Sequence, residues 1–259
     1  MPASAMRKTR IAEEVSHNAA GQRLGRKGQE TRERILCAAL RLFADPLGPT
    51  VTLTSVAREA SVSLTNFYLY FPDFVELVLA VLDRVMIDSQ TDYIDAMRKR
   101  WPDEDLSQRC LIFLEEHYRF WRRHTRLLHL RNTLSESDAR VMESRKRSIE
   151  PMLQFLTMQM DHGEGHGFRC ADLAMVILIG FERTATIITA PKFEIMAQEQ
   201  MDLADDHIAD RLIRGEARVL ELAIRDSRTR RLMAGSDHRS PALPTIELQG
   251  DTTAWPSTS

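Results

Sequence analysis

Residues 52–71 read Thr52-Leu-Thr-Ser-Val-Ala-Arg-Glu-Ala-Ser-Val-Ser-Leu-Thr-Asn-Phe-Tyr-Leu-Tyr-Phe71. The stretch divides into two short helices about a tight corner. Thr52 suits the N-cap of the first, because its hydroxyl oxygen can accept a backbone N–H that has no partner in the first turn. Val56, Ala57 and Ala60 form a narrow apolar edge, and Ala57 is small enough for another helix to cross closely. Ser61 and Val62 make the corner, and Ser63 suits the cap of the second helix. Phe67 and Phe71 are four apart, share a face and turn inward. Leu64, Thr65, Asn66, Tyr68 and Tyr70 point elsewhere. Small polar side chains at the start of a short helix, with tyrosines further along, suit a DNA major groove, while the preceding helix holds the phosphate backbone.

Upstream, the spacing predicts a supporting helix from about residue 29 to 44. Ile35, Ala39, Leu42 and Phe43 make its apolar stripe, with Glu30, Arg32, Glu33, Arg34 and Arg41 mostly outside it. Asp45-Pro-Leu-Gly-Pro49 ends that helix, and Pro72-Asp73 ends the second short one.

Ala39-Leu-Arg-Leu-Phe43, Thr52-x4-Ala57, Ala60-Ser-Val-Ser63, Phe67-Tyr-Leu-Tyr-Phe71 and Glu76-Leu77 stand in an order that resembles the tetracycline-repressor (TetR) family of transcriptional regulators. The resemblance covers roughly residues 29 to 89; beyond it the chain is similar only in helical content and length. It implies that Thr52 and Tyr68 touch phosphates, that Ser63, Leu64, Thr65 and Asn66 face bases or the adjacent sugar–phosphate, and that Tyr70 adds a phosphate contact. Two residues depart from the family pattern. Ser61 stands at the corner where glycine is usual, and a side chain at positive φ is costly there. Phe74 stands where a lysine commonly grips phosphate.

The chain has 259 residues, 43% of them hydrophobic, and a formal charge of −2. Residues 1–71 carry +4 and the remainder −6. A locally basic reader on an acidic body suits selective contact with DNA rather than a nonspecific basic coat. Cys37, Cys110 and Cys170 are scattered and odd in number, which fits reduced thiols in the cytosol rather than a disulfide framework. No apolar run approaches the ~20 residues that span a bilayer. The charged N-terminus has no apolar stretch behind it, so it does not read as a secretory signal.

Four parts are expected. Residues 1–28 read as a disordered basic arm, ending in Arg23-Leu-Gly-Arg26-Lys27-Gly28. Arg26 and Lys27 would reach a minor groove or phosphates, or belong to a solvated linker. Residues 29–89 form the three-helix DNA-binding unit, 90–228 a helical ligand-binding and dimerisation domain, and 229–259 a disordered tail with an unexplained Trp255. The fold class is all-α. Within the domain, helices are expected from Asp73, over 103–123, as a short segment at 127–130, and over 136–160 with Pro151 inside. Two more are expected over 171–189 and 202–226. The first of this last pair is apolar almost all round. The second carries Ile208, Leu212, Gly215, Val219 and Leu222 in a heptad seam. The resemblance implies that these two helices pair with a second copy; packing inside one subunit is the alternative.

The resemblance also implies a small-molecule pocket in each subunit. Trp101, Phe113, Phe120, Trp121, Met152, Phe155 and Phe181 are candidate lining residues for an apolar or aromatic ligand, with His117 and Arg183 as possible anchors. The expected function is a sequence-specific DNA-binding regulator: a homodimeric, ligand-released repressor in the cytoplasm, associated with the nucleoid. It needs no cofactor and is not an enzyme. Its partners are operator DNA, a second copy and the ligand, with no membrane. Two other readings stay open. His162-Gly-Glu-Gly-His166 offers two imidazoles and a carboxylate to a metal, without the helical spacing of zinc hydrolases and without a fourth ligand. A helical adaptor that does not bind DNA is the other.

Overall fold

The computed structural model describes residues 21–45, 48–89, 99–160, 167–190, 193 and 208–234. Nine α-helices lie among them: α1 (Arg26–Ala44), α2 (Leu53–Glu59), α3 (Leu64–Tyr68), α4 (Phe74–Ser89), α5 (Leu106–Arg123), α6 (Thr125–Ser135), α7 (Ala139–Met160), α8 (Gly167–Ile188) and α9 (Ile208–Ala234). The described residues contain no β-strand, as expected of an all-α chain.

Helices α1–α3 form a small reader. Ile35, Ala38, Ala39 and Phe43 of α1 close over Val56, Ala57 and Ala60 and over Phe67 and Phe71, all buried. The rings of Phe67 and Phe71 lie 5.7 Å apart. Helix α4 leaves the reader with Asp73 accepting the Glu76 N–H at 2.8 Å. Its buried Leu77, Val78, Val81, Leu82 and Val85 carry one continuous apolar core into the body, α4–α9. There α9 packs chiefly on α5, and α7 packs on α8.

Several boundaries differ from expectation. Helix α1 begins at Arg26, so Arg26 and Lys27 form its first turn rather than an extended arm. Arg26 Nε bonds Glu30 Oε1 at 3.0 Å, one helical turn away. The short segment at 127–130 is part of a full helix, α6, because Leu127 and Leu128 are both buried. Helix α9 runs through Ala234, past the expected end at 226. Arg228 holds it there: it is buried, donates from Nε to Gln159 O at 3.0 Å and pairs with Asp103. The remainder of the N-terminal arm (1–20), the tail from 235 with Trp255, and His162, Glu164 and His166 lie outside the described residues.

Candidate functional site

The corner of the reader follows from its hydrogen bonds. Thr52 Oγ1 accepts the Ser55 N–H at 3.1 Å, and Ser55 Oγ accepts the Thr52 N–H at 2.9 Å, closing the N-terminus of α2 reciprocally. At the other end Ser61 takes φ 53°, the single non-glycine positive φ among the described residues. The Ser61 N–H reaches Arg58 O at 3.1 Å and the Val62 N–H reaches Ala57 O at 2.9 Å. This is the paired closure that glycine normally permits at a helix end, with Val62 folding back onto the core. Ser63 Oγ then accepts the Asn66 N–H at 3.2 Å and starts α3.

With Phe67 inward, α3 turns Ser63, Leu64, Thr65 and Tyr68 to solvent; Thr52 is also exposed and Asn66 half-buried. Tyr68 is 48% exposed, an open phenol on a helix otherwise anchored by a fully buried phenylalanine. Tyr70 differs: it is half-buried and packs against the core, because it lies beyond the end of α3. Phe74 is likewise packed against the core. Arg32 lies over the Phe71 ring at 5.0 Å, and burial lowers its pKa.

Arginines of α6 and α7 hold the reader and the start of α4 against the rest of the body. Arg126, in the first turn of α6, donates from Nη1 to Leu42 O at 3.0 Å and Asp45 O at 2.6 Å, and from Nη2 to Pro49 O at 2.7 Å. It thereby grips the end of α1 and the connection to α2. Arg140, at the start of α7, reaches Asp73 at 3.0 Å, Glu76 at 2.9 Å and Asp138 at 2.9 Å. Burial works upward on the Asp73 carboxyl, but the Glu76 N–H and Arg140 together hold it below the usual range. Neither arginine stands out in the sequence, since the partners that each reaches on the far side lie 64 to 84 residues away.

Inside the body, most of the candidate lining residues converge. Trp101 meets Phe155 at 5.3 Å and Phe113 at 5.8 Å between ring centroids, and Phe113 meets Phe155 at 5.2 Å. His117 extends the cluster to Phe113 at 6.5 Å, Trp121 at 6.5 Å and Phe181 at 6.2 Å. Met152 is buried as well. Phe120 is turned aside, half-buried with its ring 4.9 Å from His124. Arg183 is exposed on the outer side of α8, since Phe181 and Ala185 take the inner side, so it is no interior anchor.

Neither ring nitrogen of His117, nor Trp101 Nε1, has a hydrogen-bond partner among the described residues. Burial pushes the His117 pKa down to about 4, so the ring is neutral at pH 7. Beside it Arg131 lies 5.7 Å over the Trp121 ring and pairs with Glu182, which also pairs with Arg145. This charged trio was not singled out in the sequence. Its signal there is a glutamate directly after the apolar run 173–181 of α8 and an arginine flanked by the α6 leucines. Cys110 is buried, which pushes its thiol up to about 12 and suits packing. The described residues hold no cluster of three metal-ligating side chains, and none of their helices is long and apolar enough to cross a membrane.

The outer sides of α8 and α9 are apolar too. Val176 and Ile179 are 66% and 59% exposed on α8; Val219 and Leu222 are 55% and 49% exposed on α9, with Leu212 at 40%. Ile213, Ala217, Leu220 and Ile224 form the inward side of α9 instead. Of the five seam residues Ile208 alone is buried in the subunit. Gly180 and Gly215 lie on these outer sides, and an added Cβ at either would meet nothing. The two helices touch where Glu216 of α9 bonds Tyr118 of α5 and Thr184 of α8.

The solved structures of other proteins place this architecture. A tetR-family transcriptional regulator from Streptomyces coelicolor superposes with a TM-score of 0.52 at 18% identity, over 83% of this chain and 85% of that one. The chain therefore has the fold of that regulator. A transcriptional regulator described as TerR/AcrR family, from Aquifex aeolicus VF5, aligns at 17% identity over 78% of this chain and 99% of that one. Its TM-score of 0.39 is too low to bear on the fold. No family model matches the chain, and no curated protein matches it in sequence.

Proposed function

We propose that this chain is a DNA-binding transcriptional regulator of the TetR type. It acts as a homodimeric repressor that an interior ligand releases from its operator. The observation that carries the reading is the reader itself: two capped short helices that bury Phe67 and Phe71 while turning Leu64, Thr65 and Tyr68 outward. The Thr52 hydroxyl spends its oxygen on the cap, which leaves its hydrogen to donate to a phosphate. Asn66 and Thr65 offer the donor and acceptor pattern that reads base edges, and the Tyr68 phenol reaches the backbone. Arg26 and Lys27 add positive charge from the first turn of α1 instead of from a groove-bound arm.

The exposed apolar stripes of α8 and α9 support pairing with a second copy. Glycines at 180 and 215 allow close approach of the partner helices, which would explain residues that each cost a lone helix about 1 kcal/mol. Two readers held by one two-fold axis match a palindromic operator. The aromatic cluster supports an apolar or aromatic ligand, and a repressor of this kind works in the cytoplasm, on the chromosome. An electrophoretic shift with DNA flanking the chain's own gene, at two salt concentrations, tests the reading. A specific, salt-weakened complex is expected; equal affinity for unrelated DNA would exclude a sequence-specific regulator.

A further inference from the structure

The interior cluster is unbalanced in charge as well as in hydrogen bonding. Arg131, from α6, is almost fully buried, and Arg145, from α7, is 30% exposed. Both rest on the single carboxylate of Glu182, from α8. Asn132 Oδ1 takes two more of the Arg131 donors, at 3.3 and 3.1 Å, but supplies no charge. The charges that act on Arg131 are Glu182, which holds it, and Arg145, which opposes it. Two guanidiniums against one carboxylate leave an excess positive charge next to aromatic side chains. Arg145 Nε is buried with no partner among the described residues. His117 is in the same state at both nitrogens, close enough to Glu182 and Arg131 for both to act on its titration. An unmatched buried donor is costly, and an unmatched charge more so.

Resting on the reading of this interior as an effector site, we infer that its ligand is an aromatic or otherwise apolar carboxylic acid, bound as the anion. Its ring lies among Phe113, Trp121, Phe155 and Phe181, and its carboxylate meets Arg145 Nε and an N–H of the His117 ring. That carboxylate balances the second guanidinium and engages the Arg145 Nε and His117 ring donors, which lack partners among the described residues. A neutral acceptor would engage the donors but leave the charge, and a cation would face two guanidiniums. Seating the ring parts α5 from α8. Helix α5 runs through His124 into α6, whose Arg126 holds the carbonyl oxygens at the end of α1. Occupancy of the site therefore bears on the reader through a direct mechanical path.

The test is calorimetric titration of the full chain with phenylacetate, 3-phenylpropionate and 1-naphthylacetate, each beside its primary amide. At least one acid is expected to bind about tenfold or more tightly than its amide, the margin of one charge-assisted hydrogen bond. Arg145→Gln and His117→Phe should each remove most of that margin, with circular dichroism melts showing that both variants remain folded. Arg145→Lys, which keeps the charge but lacks Nε, should keep part of it. Equal binding of acid and amide, no binding of any acid, or an acid preference that survives both Arg145→Gln and His117→Phe would each overturn the inference. A DNA shift on the same preparation separates the two proposals. Specific DNA binding without acid preference removes this inference alone, and acid preference without DNA binding removes the regulator reading and leaves the acid site standing.

Discussion

In the reader, every buried side chain is apolar, and the polar ones at its corners are caps whose hydrogen bonds close within three residues. In the body, His117, Arg131, Ser144, Gln159, Glu221 and Arg228 are buried. There Trp101, His117, Arg145, Thr157 and Arg228 each leave at least one nitrogen or oxygen without a partner among the described residues. An apolar, locally capped unit holds one shape whatever touches its surface. A core with unmatched donors is held below its attainable stability, by about 1–3 kcal/mol per group, and can recover that margin when something supplies acceptors. The first suits a part that must keep its shape on a template, and the second a part that must respond.

The largest expected effect sharpens the contrast at the outer stripes, where the body leaves apolar side chains exposed. If α8 and α9 pair with a second copy as proposed, Leu212→Glu or Val219→Glu would put an unpaired charge into that interface, and monomers should result in sedimentation or light scattering. Operator affinity should then fall about a hundredfold or more, since each reader loses the high effective concentration of its twin. A wild-type protein already monomeric at micromolar concentration would break this expectation.

Next comes His117. Its pKa is depressed by burial from 6.5 to about 4, so between those values the unfolded chain binds the proton that the folded chain refuses. Stability is therefore full above pH 6.5 and falls as pH drops toward 4, by about 3 kcal/mol at most. His117→Phe should lack this part of the acid dependence and gain about 1 kcal/mol at pH 7. Urea titrations at pH 7, 5.5 and 4 measure both. An acid dependence unchanged in the variant would mean that His117 is not the closed-off, neutral group of this account.

On the exposed side of α3, substitutions should act on DNA and hardly on stability. Tyr68→Ala should weaken binding to all sequences alike, whereas Asn66→Ala or Thr65→Ala should shift preference among operators by ~1–3 kcal/mol. If all three bind like wild type, α3 is not the reading element. Ser61→Gly should stabilise the fold by roughly 0.5–1 kcal/mol, because glycine relieves the positive φ and gives back part of the gain as chain entropy. A lower melting temperature would show that the serine side chain is itself needed at the corner. The smallest change is expected of Phe74→Ala, whose ring packs against the core. The slope of affinity against salt should stay the same, since no phosphate contact is lost, while coupling to the ligand weakens.

The reader was legible almost residue by residue because its determinants are local: a cap and its N–H lie three apart, and Phe67 and Phe71 lie four apart. The heptad pattern on α9 likewise revealed an apolar stripe, and four of its five residues lie outward. The extent of α9 was not legible, because it is fixed by Arg228 reaching Asp103 and Gln159, 125 and 69 residues away. The charged trio escaped for the same reason. Arg145 belongs to a run of three basic residues that looks like a solvated face until Glu182 is placed against it. Arg183 shows the opposite case, since residue type alone suggested the interior and helix phase turned it to solvent, while Phe120 packs at the edge of the core.

The link through Arg126 also bears on how the sequence of this chain can drift. Its three acceptors are main-chain oxygens, which every residue type supplies. The side chains of Leu42 and Pro49 can therefore be exchanged without removing an acceptor of the tether, whereas the Arg140 link weakens when either Asp73 or Glu76 is replaced. Gly48 is the exception. A Cβ there would stand 2.7 Å from Asp45 Oδ2 and 2.9 Å from Arg126 Nη1, so the carboxylate or the guanidinium would have to shift. Among functional relatives of this chain, position 48 should favour glycine, and a larger residue there should go with a changed residue at 45 or a weakened Arg126 tether.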